Sequence, residues 1–276
     1  MRRSHSQGPT HLGRSMCTTI GVPFFGNSAM LGECLRSLEK QTVDDFRVLV
    51  IGDGQEPDSR DIPNDSRFEV YTLPKNRGSY FARAVSLEAT TTENHAVVDA
   101  DDWVEPHWLE TMLQGRLEET GAVQHGVRIV EKLKSEPEVV VWKHARRPLA
   151  TRLLHYTSHT GLYKTERLRE AGGYSPAFRV SYDSLLVSIL RLQGPVDIVD
   201  EPLYHRRIHA DSLTMAPATR IGSAHREPIK RKLGAAYRKM YRLRNRPAQL
   251  RSVINSLTPN ELWDEVRTHA QKVNDA

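Results

Sequence analysis

At 276 residues, 38% of them hydrophobic and with 17 Gly and 15 Pro, the chain has room for one large domain, or one domain and an extension, and its composition excludes a collagen, a disulfide-stapled miniprotein and a wholly disordered chain. The 39 Lys and Arg against 34 Asp and Glu give a net charge of only +5. The longest apolar runs, Val48–Ile51 and Val139–Trp142, are too short to span a bilayer, and the two cysteines, Cys17 and Cys34, match no disulfide framework or metal spacing, so a reduced, cytoplasmic protein is expected.

Residues 1–15 carry Arg2, Arg3 and Arg14 but no apolar core, and read as a disordered arm rather than a secretory signal. Cys17–Val22 reads as a strand, and Ala29–Lys40 as a helix with Leu31, Leu35 and Leu38 on one face. Phe46–Ile51 is a second strand ending in the turn Gly52-Asp53-Gly54. Phe68–Leu73 is a third, followed by a helix over Ser79–Ala89 with Ser79 as N-cap. His95–Val98 is a fourth, running into Asp99-Ala100-Asp101-Asp102. A helix opening at Pro106 continues through Trp108, Met112 and Leu117. Alternating strands and helices with short links predict an α/β fold with a mostly parallel, mixed sheet and helices on both faces.

Beyond Thr120, Ala122–Leu133 and Val139–Trp142 read as paired strands, Thr165–Glu170 and Ser184–Leu192 as helices, and Val196–Val199 as a short strand. From Arg220 to Arg251, eleven cations face Glu227 alone, leaving the rest of the chain slightly acidic. Within this segment Arg226–Arg244 reads as an amphipathic helix with Ile229, Leu233, Tyr237 and Met240 on one stripe. The stripe either packs on the body or lies on an anionic membrane surface. No nucleic-acid-binding motif accompanies it, so nucleic acid is not the expected partner.

In an open parallel sheet, ligands bind beyond the carboxyl ends of the strands. Three such ends are polar: Pro23-Phe24-Phe25-Gly26-Asn27, Gly52-Asp53-Gly54 and Asp99-Ala100-Asp101-Asp102. In extended backbone Asp99 and Asp101 would point the same way, and two carboxylates so placed repel unless a cation neutralises them. Mg²⁺ or Mn²⁺, hard and oxygen-seeking, is the natural choice; a solvated turn capping the next helix is the plainer alternative.

These segments, with Leu38-Glu39-Lys40-Gln41-Thr42 and Asn76-Arg77-Gly78 between them, stand in the order and spacing of a known family. From Thr18 to Thr214 the chain resembles the family 2 glycosyltransferases of GT-A fold. Gly161–Tyr174 is similar to the family's strand and helix ending in Gly-Gly-aromatic, and Glu201–His209 to its closing strand. The resemblance implies a metal-dependent, inverting, non-processive transfer from a nucleotide sugar, a UDP-sugar first, to an acceptor hydroxyl of unknown class. It places Pro23, Phe25, Asp53, Arg77 and Asp99 around the nucleotide sugar. Asp101, with Asp99 and His209, would hold Mn²⁺ or Mg²⁺, and Asp183 would be the general base. Plainer roles stay open: core packing for Phe25, a turn for Asp53, a surface position for Arg77, an N-cap for Asp183. His205 is a weaker metal candidate, and His159 an acceptor-site candidate.

The chain departs from the family's pattern in three places. The usual Asp-Asp-Gly-Ser is Gly52-Asp53-Gly54-Gln55 here, the Glu-Asp dyad is Tyr182-Asp183, and no Gln-x-x-Arg-Trp follows, which argues against a processive synthase. A P-loop enzyme is excluded by its missing motif, and a sugar nucleotidyltransferase is disfavoured by a first loop, Pro23–Asn27, with a single Gly. The competing reading is a non-enzymatic protein on the same scaffold that binds polyanions or membrane surfaces. The expected layout is an arm over 1–15, a glycosyltransferase domain over 16–215 and a basic, helical extension over 216–276.

Overall fold

The first strand, β1 (Thr18–Phe24), is buried along its whole length, and β2 (Phe46–Gly52) at all but one residue. Strands covered by helices on both faces must be apolar on both, which is why these two read as unbroken hydrophobic runs. The computed structural model describes residues 17–115, 117–125, 127–132, 136–141, 159–210 and 212–276; the arm read over residues 1–15 lies outside them. A seven-stranded sheet runs in the order β10-β6-β9-β4-β1-β2-β3. Its further members are β3 (Phe68–Thr72), β4 (Asn94–Val97), β6 (Ala122–His125), β9 (Gly161–Lys164) and β10 (Asp197–Val199). Only β9 runs antiparallel to its neighbours. The parallel register pairs Phe24 with Gly52 and Gly21 with Val97, so β1, β2 and β4 end on one edge.

Helix α1 (Ser28–Glu39) starts where the Asn27 side chain accepts hydrogen bonds from the Ala29 and Met30 amides. Helix α2 (Ser79–Glu88) starts one residue earlier than its expected cap implied. Gly78, with φ of 94°, holds the N-cap position and Ser79 is already helical. The helix expected from Pro106 is two pieces, α3 (Trp108–Gln114) and α4 (Leu117–Thr120), separated at Gly115, with Trp108, Met112 and Leu117 buried as their spacing implied.

The stretch read as one strand over Ala122–Leu133 is divided between two sheets. After β6 the chain leaves the main sheet, and β7 (Val127–Lys132) joins a four-stranded sheet with β5 (Trp103–Val104), β8 (Glu138–Val141) and β11 (Tyr204–Ile208), in the order β5-β11-β7-β8. The expected pairing with Val139–Trp142 is made by β7 alone, over Glu138–Val141; Leu133 and Trp142 lie outside the described residues. Strand β11 lies antiparallel to β5 and so returns the chain beside the acidic turn between β4 and β5.

Helices α5 (Thr165–Glu170) and α6 (Tyr182–Gln193) pack on the sheet, followed by α7 (Arg226–Arg242), α8 (Pro247–Asn255) and α9 (Asn260–Asn274). Leu233, Tyr237 and Met240 of α7 are buried in the same core as Phe81, Leu185 and Ile189. Val266, Ala270 and Val273 of α9 join that core, and Tyr71 of β3 meets His269 Nδ1 at 2.8 Å. The packing reading of the basic helix therefore describes its apolar stripe, which is not free to lie on a membrane. Among the described residues no helix is long and apolar enough to cross one.

Candidate active site

The edge where β1, β2 and β4 end opens into a cavity of about 480 Å³, within the range of small-molecule sites. One wall is built by Asp53. Its amide donates to Phe24 O at 2.8 Å, and its buried carboxylate accepts from the amides of Arg77 (2.6 Å) and Gly78 (2.8 Å). Asp53 thus clamps the 76–78 loop against the end of β2. Gly54, with φ of 75°, is required there because a Cβ would lie 2.3 Å from the Asn76 nitrogen. Pro23 and Phe25 line the cavity beside this clamp, and Phe25 is 64% exposed, so it is not a core residue.

Arg77 departs from its expected place. Its guanidinium lies over the Phe81 ring at 4.8 Å and pairs with Glu265 of α9 at 2.5 Å, and Arg77 does not line the cavity, although Asn76 and Gly78 on either side of it do. Asp53 holds the Arg77 backbone and α9 holds its side chain.

Strand β4 ends at Val97, and Asp99–Asp102 form a turn closed by the Asp102 amide on Asp99 O at 2.9 Å. Strand alternation is therefore not what gathers the carboxylates. The turn does, with oxygens of Asp99, Asp101 and Asp102 all within 4.8 Å of one another. Their surroundings differ. Packing around Asp99 would raise its pKa, but Arg83, 2.5 Å away, and His159, 3.4 Å away, outweigh this and hold it well below the usual carboxylate range. Burial first, and then the charges of Asp101 and Asp99, push Asp102 well up. It accepts from Tyr204 Oη at 2.7 Å and from the Arg207 amide at 2.8 Å. Asp101 is the most open of the three, and its Oδ2 lies 3.0 Å from His209 Nε2, at the end of β11.

These residues fit a hard divalent cation. The 3.0 Å between Asp101 Oδ2 and His209 Nε2 is about the edge of an octahedron with bonds of roughly 2.1 Å. A cation there would also relieve the repulsion felt by Asp102. Asp99, already paired with Arg83, is the less available ligand. His205 is elsewhere: it stacks on Trp103 at 3.4 Å and bonds Glu105 Oε1 at 2.8 Å.

A second cavity of about 150 Å³ adjoins the first across Arg83, Asp99 and Asp102. Asp183 faces it, with Tyr80 and His159. Asp183 is not the N-cap of α6: that position is Ser181, whose φ of 67° is left-handed. The Asp183 amide donates to Tyr80 Oη at 3.0 Å, and the same hydroxyl donates to Asp183 Oδ1 at 3.3 Å, fixing the carboxylate's direction. His159 is buried with neither ring nitrogen in a hydrogen bond, its Nε2 3.4 Å from Asp99 Oδ1; burial first and then Arg83 lower its pKa, against the pull of Asp99. The sequence reading missed Arg83. Its signal was present, a lone cation inside the apolar run Tyr80–Val85, and that position buries it against Asp99.

Residues 19–184, more than half the chain, match the family described as Glycosyl transferase family 2. Among curated relatives, EpsH of Bacillus subtilis (strain 168) is 26% identical over 216 residues, which cover 70% of this chain and 61% of EpsH. The teichoic acid poly(glycerol phosphate) polymerase of Staphylococcus epidermidis is 28% identical over 90 residues, 30% of this chain and 12% of that protein. The chain thus spans about three-fifths of EpsH and much less of the polymerase. Among solved structures, S. aureus TarS 1-349 in complex with UDP-GlcNAc superposes with a TM-score of 0.55 at 19% identity, over 80% of this chain and 71% of that one. The complex with UDP gives 0.53 at 20% identity, over 80% and 70%. The likeness to TarS is one of fold. With the sheet edge, the Asp53 clamp and the acidic turn all inside the matched residues, the chain belongs to glycosyltransferase family 2.

Proposed function

We propose that the chain transfers a single sugar from a UDP-sugar to an acceptor hydroxyl with inversion at the anomeric carbon. The observation that carries this reading is the pair of joined cavities. Asp101 and His209 lie on one side of the Arg83–Asp99 pair, and Asp183 on the other. The larger cavity would take the nucleotide, with the base against Phe25 and Pro23 and the ribose toward Asp99, in keeping with UDP and UDP-GlcNAc as the ligands of the TarS complexes. Asp101 and His209 would hold Mn²⁺ or Mg²⁺, which when bound neutralises charge on the diphosphate leaving group.

Asp183 accepts the proton of the acceptor hydroxyl as its oxygen attacks the anomeric carbon. The bond from that carbon to the UDP oxygen breaks, and its electron pair leaves with UDP. Attack from the side opposite UDP inverts the centre. Tyr80 aims the base. Contact with an anionic membrane would involve the exposed cations of α7 and not its stripe. Calorimetric titration with UDP tests the donor site: binding is expected to require Mn²⁺ and to vanish with chelator. Equal affinity in chelator, or no UDP binding at all, would refute the reading.

A further inference from the structure

We infer that the smaller cavity takes an acceptor that carries a phosphate group beside its reactive hydroxyl, with Arg226, Arg206 and Arg179 as the phosphate's partners. The inference rests on reading Asp183 as the base of glycosyl transfer. Among the described residues four guanidinium groups border this cavity, and of these only Arg83 is paired with a carboxylate, Asp99. Arg179 donates to the side-chain and main-chain oxygens of Asn76, at 3.0 and 3.3 Å. Arg206 donates to Thr214 Oγ1 at 2.9 Å, and Arg226 to Leu213 O at 3.0 Å. All of these acceptors are neutral. The Nε of Arg226 is buried and unpartnered.

Three cations held by neutral groups, with donors to spare and no carboxylate within ion-pair distance among the described residues, form a site for an anion. Leu213 and Thr214 are consecutive, so one short segment fixes two of the guanidinium groups side by side. The donor's own diphosphate does not account for all three. Arg179 and Arg206 border both cavities, whereas Arg226 borders only the one that holds Asp183. A phosphate gripped there would bring a neighbouring hydroxyl to the Asp183 carboxylate, and so acts through orientation.

The test uses the full chain saturated with UDP and Mn²⁺, which fills the donor site, and titrates glycerol 3-phosphate against glycerol as the uncharged control. Glycerol 3-phosphate is expected to bind and glycerol not to. Arg226→Gln should weaken that binding about tenfold or more while UDP affinity, which reports an intact fold, stays unchanged. Arg226→Lys should restore part of the loss, since charge survives but the planar fork does not. Lysophosphatidic acid, which has both a free hydroxyl beside its phosphate and an acyl chain, tells in the same titration a lipid-borne phosphate from a polyol phosphate, and binding of either supports the site. No binding of either phosphate, binding of glycerol to the same extent, or indifference to Arg226→Gln would overturn it. Failure of UDP itself to bind would instead refute the reading of the larger cavity.

Discussion

Asp99, Asp101 and Asp102 sit within four residues of one another and meet three different environments, because the turn aims each side chain at a different neighbour. Asp99 meets Arg83, Asp102 meets Tyr204 and the Arg207 amide, and Asp101 meets His209 and the cavity. The Arg83–Asp99 pair joins a buried guanidinium to a carboxylate that keeps 26% of its surface. Removing one partner strands the other, so Arg83→Met is expected to cost about 2–3 kcal/mol in chemical denaturation at pH 7, somewhat below a fully buried pair. The sign of the pH effect follows from Asp99, whose carboxyl lies below its ordinary value in the folded chain. Its contribution is present above the unfolded value of about 4 and fades as pH falls toward the folded one. Wild type should therefore lose more stability than Arg83→Met when the pH is lowered from 6 to 3; parallel curves would deny the pair its role.

Among the elements, the strands β1 and β2 were legible because burial on both sheet faces leaves an unbroken apolar run, and helix α1 because its single buried stripe leaves a helical period; α2 and α6 are buried almost all round and read instead as apolar stretches too long for a strand. The division of Ala122–Leu133 between two sheets was not legible, since a strand's alternation says which face is buried but not which sheet receives it. The Asp99–Asp102 turn misled in the same way: alternation was expected to aim Asp99 and Asp101 together, whereas a turn gathers both, and Asp102 with them. Arg77 was placed by its neighbours in sequence, while its side chain follows a partner, Glu265, that lies 188 residues further on. At the start of α6, Ser181 holds a left-handed conformation directly before Tyr182 and Asp183. Such strain costs an L-residue about 1–3 kcal/mol and is tolerated where a site requires it. Ser181→Gly should release part of it and raise stability by about 1 kcal/mol in thermal unfolding. A destabilised Ser181→Gly would show that the conformation is favourable as it stands.

On the scale of the whole molecule, the basic segment is divided by function: its cations face outward or toward the smaller cavity, and its apolar stripe completes the core. The sequence showed the stripe but not what it packs against, because the partners Leu185, Ile189 and Phe81 come from distant parts of the chain. Leu233, Tyr237, Met240, Leu250, Ile254, Val266 and Val273 leave that core if residues 221–276 are removed. At about 1.5–3 kcal/mol for each large buried side chain, their loss rivals the roughly 5–15 kcal/mol by which a domain is stable. The truncated chain should lose cooperative unfolding and near-ultraviolet circular dichroism; a sharp transition would show that residues 17–220 fold alone. The central claim, glycosyl transfer driven by one carboxylate at the metal and another at the acceptor, is tested most directly by UDP release from a panel of UDP-sugars. The account predicts Mn²⁺-dependent release by the wild type from at least one of them. It predicts none from Asp101→Ala, which should stay folded because one crowded carboxylate has gone. Asp183→Asn should still bind UDP but release it about 10²–10⁴-fold more slowly. Release that needs no metal, or that survives both substitutions undiminished, would contradict the account.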